Sequence, residues 1–116
     1  MTSNELVNLI SNLILQKKGS KILILDLKKQ TPITDYFIIC SSSSDTQSKA
    51  IADHIIKETK NIGQKPWHNE GYKNLSWVLL DFVDVVVHIF LKDVRKFYNL
   101  EGLWGDAEIT EVKDSV

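Results

Sequence analysis

The stretch that decides the fold is residues 77–90, which read Trp-Val-Leu-Leu-Asp-Phe-Val-Asp-Val-Val-Val-His-Ile-Phe. It contains two apolar segments, rich in β-branched and aromatic residues, on either side of a short turn, which is typical of a β-hairpin. A two-residue turn at Phe82-Val83 would place Trp77 opposite His88. Because side chains alternate along a strand, one face of this hairpin would be aliphatic and the other would mix aromatic, imidazole and carboxylate groups. We expect the aliphatic face in the core, so the mixed face calls for a functional explanation.

The mixed face supplies the candidate binding residues. Burying its two carboxylates without partners would cost several kcal/mol each, so this face is too polar to form a dry second core layer. An aromatic set rimmed by polar groups is instead typical of a protein-binding hot spot. We therefore predict partner-binding roles for six residues of this face, which are Trp77, Leu79, Asp81, Asp84, Val86 and His88.

Hydrophobic periodicity on both sides of the hairpin predicts the order α-β-β-α-β-β-β-α. The first helix begins at the capping-box pair Thr2 and Glu5, and the second begins at the similar pair Ser44 and Gln47. The strands before the hairpin are predicted at residues 22–27, 36–41 and 65–70, and a short helix around 94–98 follows it. The fold class is therefore α/β (α+β), with a mixed sheet of about five strands and helices packed on it.

The chain length fits a single domain, predicted over residues 1–109, and the polar, acidic residues 110–116 are expected to form a flexible tail. Three helices are too few to cover both faces of such a sheet. Part of one face is therefore expected to stay open, and an exposed apolar surface of this kind is typical of a partner site.

Composition argues against several classes of protein. With 14 basic and 15 acidic residues, the net charge of -1 gives no electrostatic reason to bind nucleic-acid phosphates, and no sequence-specific nucleic-acid binding is expected. The single cysteine, Cys40, excludes an internal disulfide and is predicted to be a buried structural thiol. Without a secretion signal or an apolar run of membrane-spanning length, the protein is expected in the cytoplasm, with an organellar protein that has lost its leader as the alternative.

Catalytic and metal sites are weakly indicated. Asp35, Asp81 and Asp84 could hold magnesium for nucleotidyl or phosphoryl transfer, with the serine run at 41–44 as a phosphate cradle. Asp81 and Asp84 flank a turn, however, where Asp is favoured for structural reasons. His88 has no serine or cysteine nucleophile on its own face of the hairpin. We therefore predict no catalytic residue, no metal and no cofactor.

Several ordered blocks of the sequence resemble the ribosomal silencing factor family (RsfS), also called Iojap-like proteins. They cover nearly the whole chain apart from its two ends, and ordered blocks at matching spacing are far more specific than a single motif. The blocks are Thr-Asp-Tyr-Phe-Ile-Ile-Cys-Ser at 34–41, Ala-Ile-Ala-Asp at 50–53, Glu-Gly at 70–71, Trp-Val-Leu-Leu-Asp at 77–81, Asp-Val-Val-Val-His-Ile-Phe at 84–90, Arg95, Phe-Tyr at 97–98, Leu-Glu at 100–101, Leu-Trp at 103–104 and Asp-Ala at 106–107.

The resemblance implies a non-catalytic α/β protein with a nucleotidyltransferase-like mixed sheet. Members of this family bind the large ribosomal subunit through ribosomal protein number fourteen on its intersubunit face. They sterically prevent the small subunit from joining, which damps translation when nutrients are short, and they tend to form homodimers in isolation. Carried onto this chain, the resemblance implies that the contact residues lie in the blocks at 77–81 and 84–88.

Two positions depart from the family pattern. Where the family usually has Asp-Tyr-Gly-Asp, this chain has Asp-Phe-Val-Asp at 81–84, and where the family commonly has a glycine after Cys40, this chain has a serine run. A β-branched Val83 at positive φ would be strained by roughly 1–2 kcal/mol. A different turn, or a shifted register near the tip of the hairpin, is therefore expected.

Two other functions stay open at the level of the sequence. One is a small magnesium-dependent enzyme of the nucleotidyltransferase type that uses the three aspartates named above. The other is a homodimeric protein whose open sheet face serves only as its dimer interface.

Overall fold

The computed structural model describes residues 1–113, over which the chain forms six strands and four helices. In chain order these are α1 (Ser3–Gln16), β1 (Ser20–Asp26), β2 (Tyr36–Ser42), α2 (Asp45–Lys60), β3 (His68–Glu70), β4 (Trp77–Asp81), β5 (Val85–Leu91), α3 (Lys92–Tyr98), α4 (Leu100–Leu103) and β6 (Glu108–Val112). The strands form one sheet in the order β3-β4-β5-β2-β1-β6.

The two central strands, β2 and β5, are parallel, and all the other neighbouring pairs are antiparallel. Both central strands are almost wholly buried, which explains why they read as continuous apolar runs instead of alternating ones. The thiol of Cys40, on β2, is fully buried as predicted, and burial raises its pKa to about 12. The predicted mixed α+β fold is confirmed.

The sheet has one strand more than predicted. Strand β6 pairs antiparallel with β1 and places Thr110 opposite Ile24. The prediction of a flexible tail is therefore wrong for residues 110–112, while residues 114–116 lie outside the described part of the chain. This strand was not predicted because it is an exposed edge strand, and the sequence of its polar residues resembles that of a solvated tail.

Helices α1 and α2 cover one face of the sheet and enclose the main core with it. The capping box of Thr2 and Glu5 is confirmed at the start of α1. Ser44 caps α2 by accepting a hydrogen bond from the backbone N–H of Gln47 (3.1 Å). The side-chain amide of Gln47 also donates to the carbonyl of Lys18 (2.9 Å), so the beginning of α2 is bonded to the segment that follows α1.

The opposite face of the sheet is only partly covered. Leu25, Ile39 and Phe90 form a smaller buried cluster there, against which Leu100 and Trp104 pack. Because α3 and α4 are short, they do not extend over the whole face. None of the helices within residues 1–113 is long and apolar enough to cross a membrane.

Candidate protein-binding site

The hairpin of β4 and β5 presents its two faces as predicted, but with a different register. Leu79 lies opposite His88, and Trp77 lies opposite Phe90 instead of His88. The predicted pairing is therefore wrong by two residues. A shift by an even number keeps every side chain on its predicted face. The aliphatic face is buried in the main core, and its residues are Val78, Leu80, Val85, Val87 and Ile89.

The turn at the tip of the hairpin accounts for the shifted register. Phe82 donates its N–H to the carbonyl of Val85 (2.8 Å), so the turn is centred one residue later than predicted, on Val83 and Asp84. Val83 has φ 74°, and the N–H of Asp84 donates to the carbonyl of Phe82 (3.0 Å), which makes a γ-turn. The carboxylate of Asp81 accepts the N–H of Val83 (2.7 Å). The expectation of a shifted register near the tip is confirmed.

His88, predicted to bind a partner from the mixed face, is buried, with 4% of its surface exposed. Its Nδ1 accepts a hydrogen bond from the indole Nε1–H of Trp77 (3.1 Å). Because Nδ1 is the acceptor, the proton of the neutral ring lies on Nε2. Burial lowers the pKa of His88 to about 4, so the imidazole is neutral at physiological pH.

Two adjoining hollows form a groove on the partly covered face, and we call this surface the sheet groove. The smaller hollow, of about 250 Å³, is lined by Thr31, Ile33, Thr34, Phe37, Leu79, Asp81, Val86, His88 and Trp104. The larger hollow, of about 350 Å³, is lined by Ile33, Thr34, Trp67, Asp81, Val83 and Val86. The two hollows share four residues, so together they make one continuous depression with largely apolar walls.

The sheet groove brings together four of the six predicted site residues, Leu79, Asp81, Val86 and His88. Trp77 does not line it, because its ring packs against Phe90, with ring centroids 4.7 Å apart, and bonds to His88. The exposed Asp84 lies at the turn and does not line either hollow. Trp77 therefore contacts the groove only through His88, to which it donates a hydrogen bond. Asp84 takes part in the turn, where its N–H donates to the carbonyl of Phe82.

Sequence reasoning missed seven residues that line the groove, and four of these have large apolar or aromatic side chains. Trp67 and Ile33 are 79% and 81% exposed, which is a large exposure for apolar side chains. Trp104 lies edge-on to Phe37, with ring centroids 5.9 Å apart. Phe37 pairs with Val86 across the parallel strands, a neighbour that only the tertiary pairing of β2 with β5 reveals. One indication of these residues was present in the sequence, which is a tryptophan, Trp67, directly after Pro66 at the start of a short predicted strand.

The aspartates suspected of metal binding have structural partners. Asp35 accepts a hydrogen bond from the hydroxyl of Ser3 (2.9 Å), and Asp81 holds the turn. Within residues 1–113, no three His, Cys, Asp or Glu side chains are grouped so that they could hold a metal ion. Among residues 1–113, Asp81 and His88 are the only titratable residues that line the sheet groove.

A larger cleft, of about 970 Å³, lies between the start of β1 and helix α3. Its most deeply buried cation, Arg95, forms an ion pair with Glu101 (2.9 Å) and donates to the carbonyl of Lys21 (2.6 Å) and to the hydroxyl of Ser41 (2.9 Å). Because this guanidinium is already committed to bonds within the protein, the cleft offers a ligand mainly exposed lysines. The sheet groove is the better candidate for a binding site.

The chain matches, over residues 1–116, the model of the family described as "Ribosomal silencing factor during starvation". It is 42% identical over 113 residues to ribosomal silencing factor RsfS of Halalkalibacterium halodurans, covering 97% of each protein. It is 39% identical over 98 residues to the chloroplastic protein Iojap of Zea mays, covering 82% of this chain and 41% of that protein. A crystal structure of a Chromobacterium violaceum protein superposes with a TM-score of 0.88 at 32% identity, covering 100% of this chain and 97% of that one. The chain belongs to the ribosomal silencing factor family.

Proposed function

We propose that this protein represses translation by binding the large ribosomal subunit in the cytoplasm and preventing the small subunit from joining. The partner on the subunit is ribosomal protein number fourteen, on the intersubunit face, and the effect is to damp translation when nutrients are short. Relatives that are similar over most of the chain are named ribosomal silencing factors, which supports the ribosome as the target. The finer parts of the proposal, the partner protein and the steric mechanism, follow from the family resemblance.

The observation that carries the proposal is the sheet groove. Its floor is apolar and aromatic, and the exposed side chains of Ile33, Trp67 and Val83 surround it. Exposed tryptophan beside a shallow apolar depression is typical of the centre of a protein–protein interface. A stable interface needs roughly 800 Å² on each partner, which a surface centred on this groove could supply.

The chemistry of the groove supports binding over turnover. A general base works best with a pKa near the operating pH, whereas burial lowers the pKa of His88 to about 4. The acceptor nitrogen of His88 is occupied by Trp77. Neither of these residues can therefore activate a nucleophile in this arrangement, and obstruction requires no such step.

Co-sedimentation with separated ribosomal subunits tests the proposal. The variant Leu79→Glu puts a charge into the apolar groove, and Ile109→Glu puts the same charge on an exposed apolar residue of β6, outside the groove. We expect the unmodified protein and Ile109→Glu to sediment with the large subunit and to block subunit joining, and Leu79→Glu to do neither. Failure of the unmodified protein to sediment with the large subunit would overturn the proposal.

A second copy of the chain is the competing occupant of the groove. In that case Leu79→Glu would lower the mass measured by light scattering over a dilution series, while the protein would still sediment with the large subunit. This result would assign the groove to a homodimer and move the ribosomal contact to another surface.

A further inference from the structure

The cleft of about 970 Å³ between the start of β1 and helix α3 carries an excess of positive charge, and we call it the basic cleft. Three exposed lysines line it, which are Lys21, Lys92 and Lys96. Of the two carboxylates in its lining, Glu101 is paired with Arg95 (2.9 Å), so among residues 1–113 Glu111 is the one acidic group that offsets the three lysines. The net charge of -1 for the whole chain therefore includes a local basic patch.

Arg95, which is 8% exposed, joins the two walls of the basic cleft. Its guanidinium donates to the carbonyl of Lys21 on one wall (2.6 Å), and Lys92 and Lys96 lie on the same helix as Arg95 in the other. Because Lys92 and Lys96 are four residues apart, their side chains leave α3 on the same side. Lys21 has φ 50° at an irregularity in the pairing of β1 with β2. The bonds of Arg95 therefore hold the three lysines around one cleft.

The basic cleft opens on the same face of the sheet as the sheet groove. Along β2, Phe37 lines the groove and Ser41 lines the cleft. A separation of four residues places both side chains on one face of the strand, roughly 13 Å apart. Along β1, Leu23 lines the cleft, and Leu25 belongs to the buried cluster of that face. A ribosomal subunit bound at the sheet groove would therefore meet the basic cleft as well.

We propose that the basic cleft binds the sugar-phosphate backbone of ribosomal RNA on the large subunit, beside the protein segment held in the sheet groove. This inference rests on the proposed function and adds a second contact of different chemistry. A lysine ammonium is a point charge on a flexible stem, which suits contacts to phosphate that do not depend on base sequence. The contact is therefore compatible with the absence of sequence-specific recognition that the composition predicts.

The lining of the basic cleft favours RNA backbone over a protein partner. Among residues 1–113, Leu23 is the one apolar side chain in that lining. The centre of a protein–protein interface is enriched in aromatic residues and depleted of lysine, whereas interfaces with nucleic acids are polar and positively charged. The sheet groove has the first kind of lining and the basic cleft has the second.

Removing two of the lysines tests the contact with RNA. At about 0.1 M KCl we expect the double variant Lys92→Gln/Lys96→Gln to bind purified large subunits about tenfold more weakly than the unmodified protein. The slope of log affinity against log KCl concentration should become shallower by about 1 to 2, since each lost phosphate contact removes roughly 0.7–0.9. The matched control Lys57→Gln/Lys60→Gln, at two exposed lysines of α2, should keep both the affinity and the slope.

Hydroxyl-radical cleavage of the ribosomal RNA identifies the ligand, because it reports which parts of the RNA backbone are exposed to solvent. At saturating concentration the unmodified protein and the α2 control should protect a backbone segment that Lys92→Gln/Lys96→Gln leaves exposed. Lys21→Gln, on the opposite wall of the cleft, should reduce the salt slope by about half as much as the double variant. Thermal melts check that each variant is folded at the temperature of the binding assay.

The outcomes distinguish this inference from the proposed function. If the unmodified protein does not bind large subunits, both fail. If it binds, and the cleft variants keep its affinity and salt slope, the inference alone is overturned. It is also overturned if the variants bind more weakly but protect the same RNA backbone, because the lysines would then contact an acidic protein.

Discussion

Val83 adopts a backbone conformation that a β-branched residue rarely takes. At φ 74° its Cβ lies close to backbone carbonyl oxygen, and the strain amounts to roughly 1–2 kcal/mol. The turn keeps this conformation because the Asp81 carboxylate and the Phe82 carbonyl both accept bonds from the turn's N–H groups. The pairing of β4 with β5 offsets this strain.

Replacing Val83 by glycine should therefore stabilise the protein. We expect the free energy of unfolding to rise by about 0.5–1 kcal/mol, since relief of the strain exceeds the extra chain entropy that glycine gives the unfolded state. Urea denaturation measures the change. The matched control is Asp84→Gly, at a neighbouring turn residue that does not have positive φ, which should destabilise the protein. A lower stability for Val83→Gly would show that the turn is not strained at this residue.

His88 should make stability depend on pH. Its pKa is about 4 in the folded protein and near 6.5 in the unfolded chain, so the unfolded chain binds the proton more tightly. The stability that comes from keeping His88 neutral is fully present above pH 6.5 and is lost as the pH falls towards 4. The total loss amounts to about 3 kcal/mol of the free energy of unfolding. Chemical denaturation at pH 7.5, 6, 5 and 4.5 should show this loss, and His88→Gln should lack it.

At the scale of elements, Arg95 ties α3 to three other parts of the chain. Its guanidinium bonds to Glu101 in α4, to the carbonyl of Lys21 in β1 and to the hydroxyl of Ser41 in β2. Four hydrogen bonds from one planar group fix the angle at which the short C-terminal helices lie against the sheet. Since α4 leads directly to Trp104, this connection also sets one wall of the sheet groove.

Arg95→Met should lower the free energy of unfolding by about 2–4 kcal/mol, because it leaves the partly buried Glu101 carboxylate unpaired. Lys96→Met, on the exposed side of the same helix, should change it by less than about 0.5 kcal/mol. Combining Arg95→Met with Glu101→Gln should recover part of the loss. A double variant less stable than Arg95→Met alone would contradict this account of the pair.

The elements that sequence predicted well are those specified by neighbouring residues. Capping pairs and helical periodicity placed the beginnings of α1 and α2, and β-branched runs placed β2, β4 and β5. The two faces of the hairpin were correct although its register was not, since the error was an even number of residues. Strand β6 was missed because only its pairing with β1 distinguishes it from a polar tail.

The groove was harder to predict because it depends on contacts between distant segments. Leu79, Val86 and His88 follow from strand parity alone. Phe37 joins them through the parallel pairing of β2 with β5, and Trp104 through the placement of α4, neither of which is encoded locally. The burial of His88 follows from the rings of Trp77 and Phe37 packed around it, which a pattern of alternating residues cannot show.

In the whole molecule, the main core and the proposed binding surface lie on opposite faces of the sheet. Helices α1 and α2 cover one side of the sheet, and the sheet groove opens on the other. The described chain measures about 35 × 34 × 32 Å, so a protein seated by the groove would project its helices roughly 30 Å from the surface it binds. If the volume of the bound protein alone prevents subunit joining, the side chains on the outer surface of α1 and α2 are not needed for the inhibition.

Substitutions on the outer surface of α1 and α2 should therefore leave repression intact. We expect Asn12→Ala combined with Lys57→Ala, both at exposed positions, to inhibit subunit joining as fully as the unmodified protein at saturating concentration. Leu79→Glu, in the groove, should release the inhibition at the same concentration because the protein no longer binds. Light scattering of subunit association in a stopped-flow instrument measures both. If the helix variant sedimented normally with the large subunit yet failed to inhibit joining, the helices would have to make specific contacts, and obstruction by volume alone would be wrong.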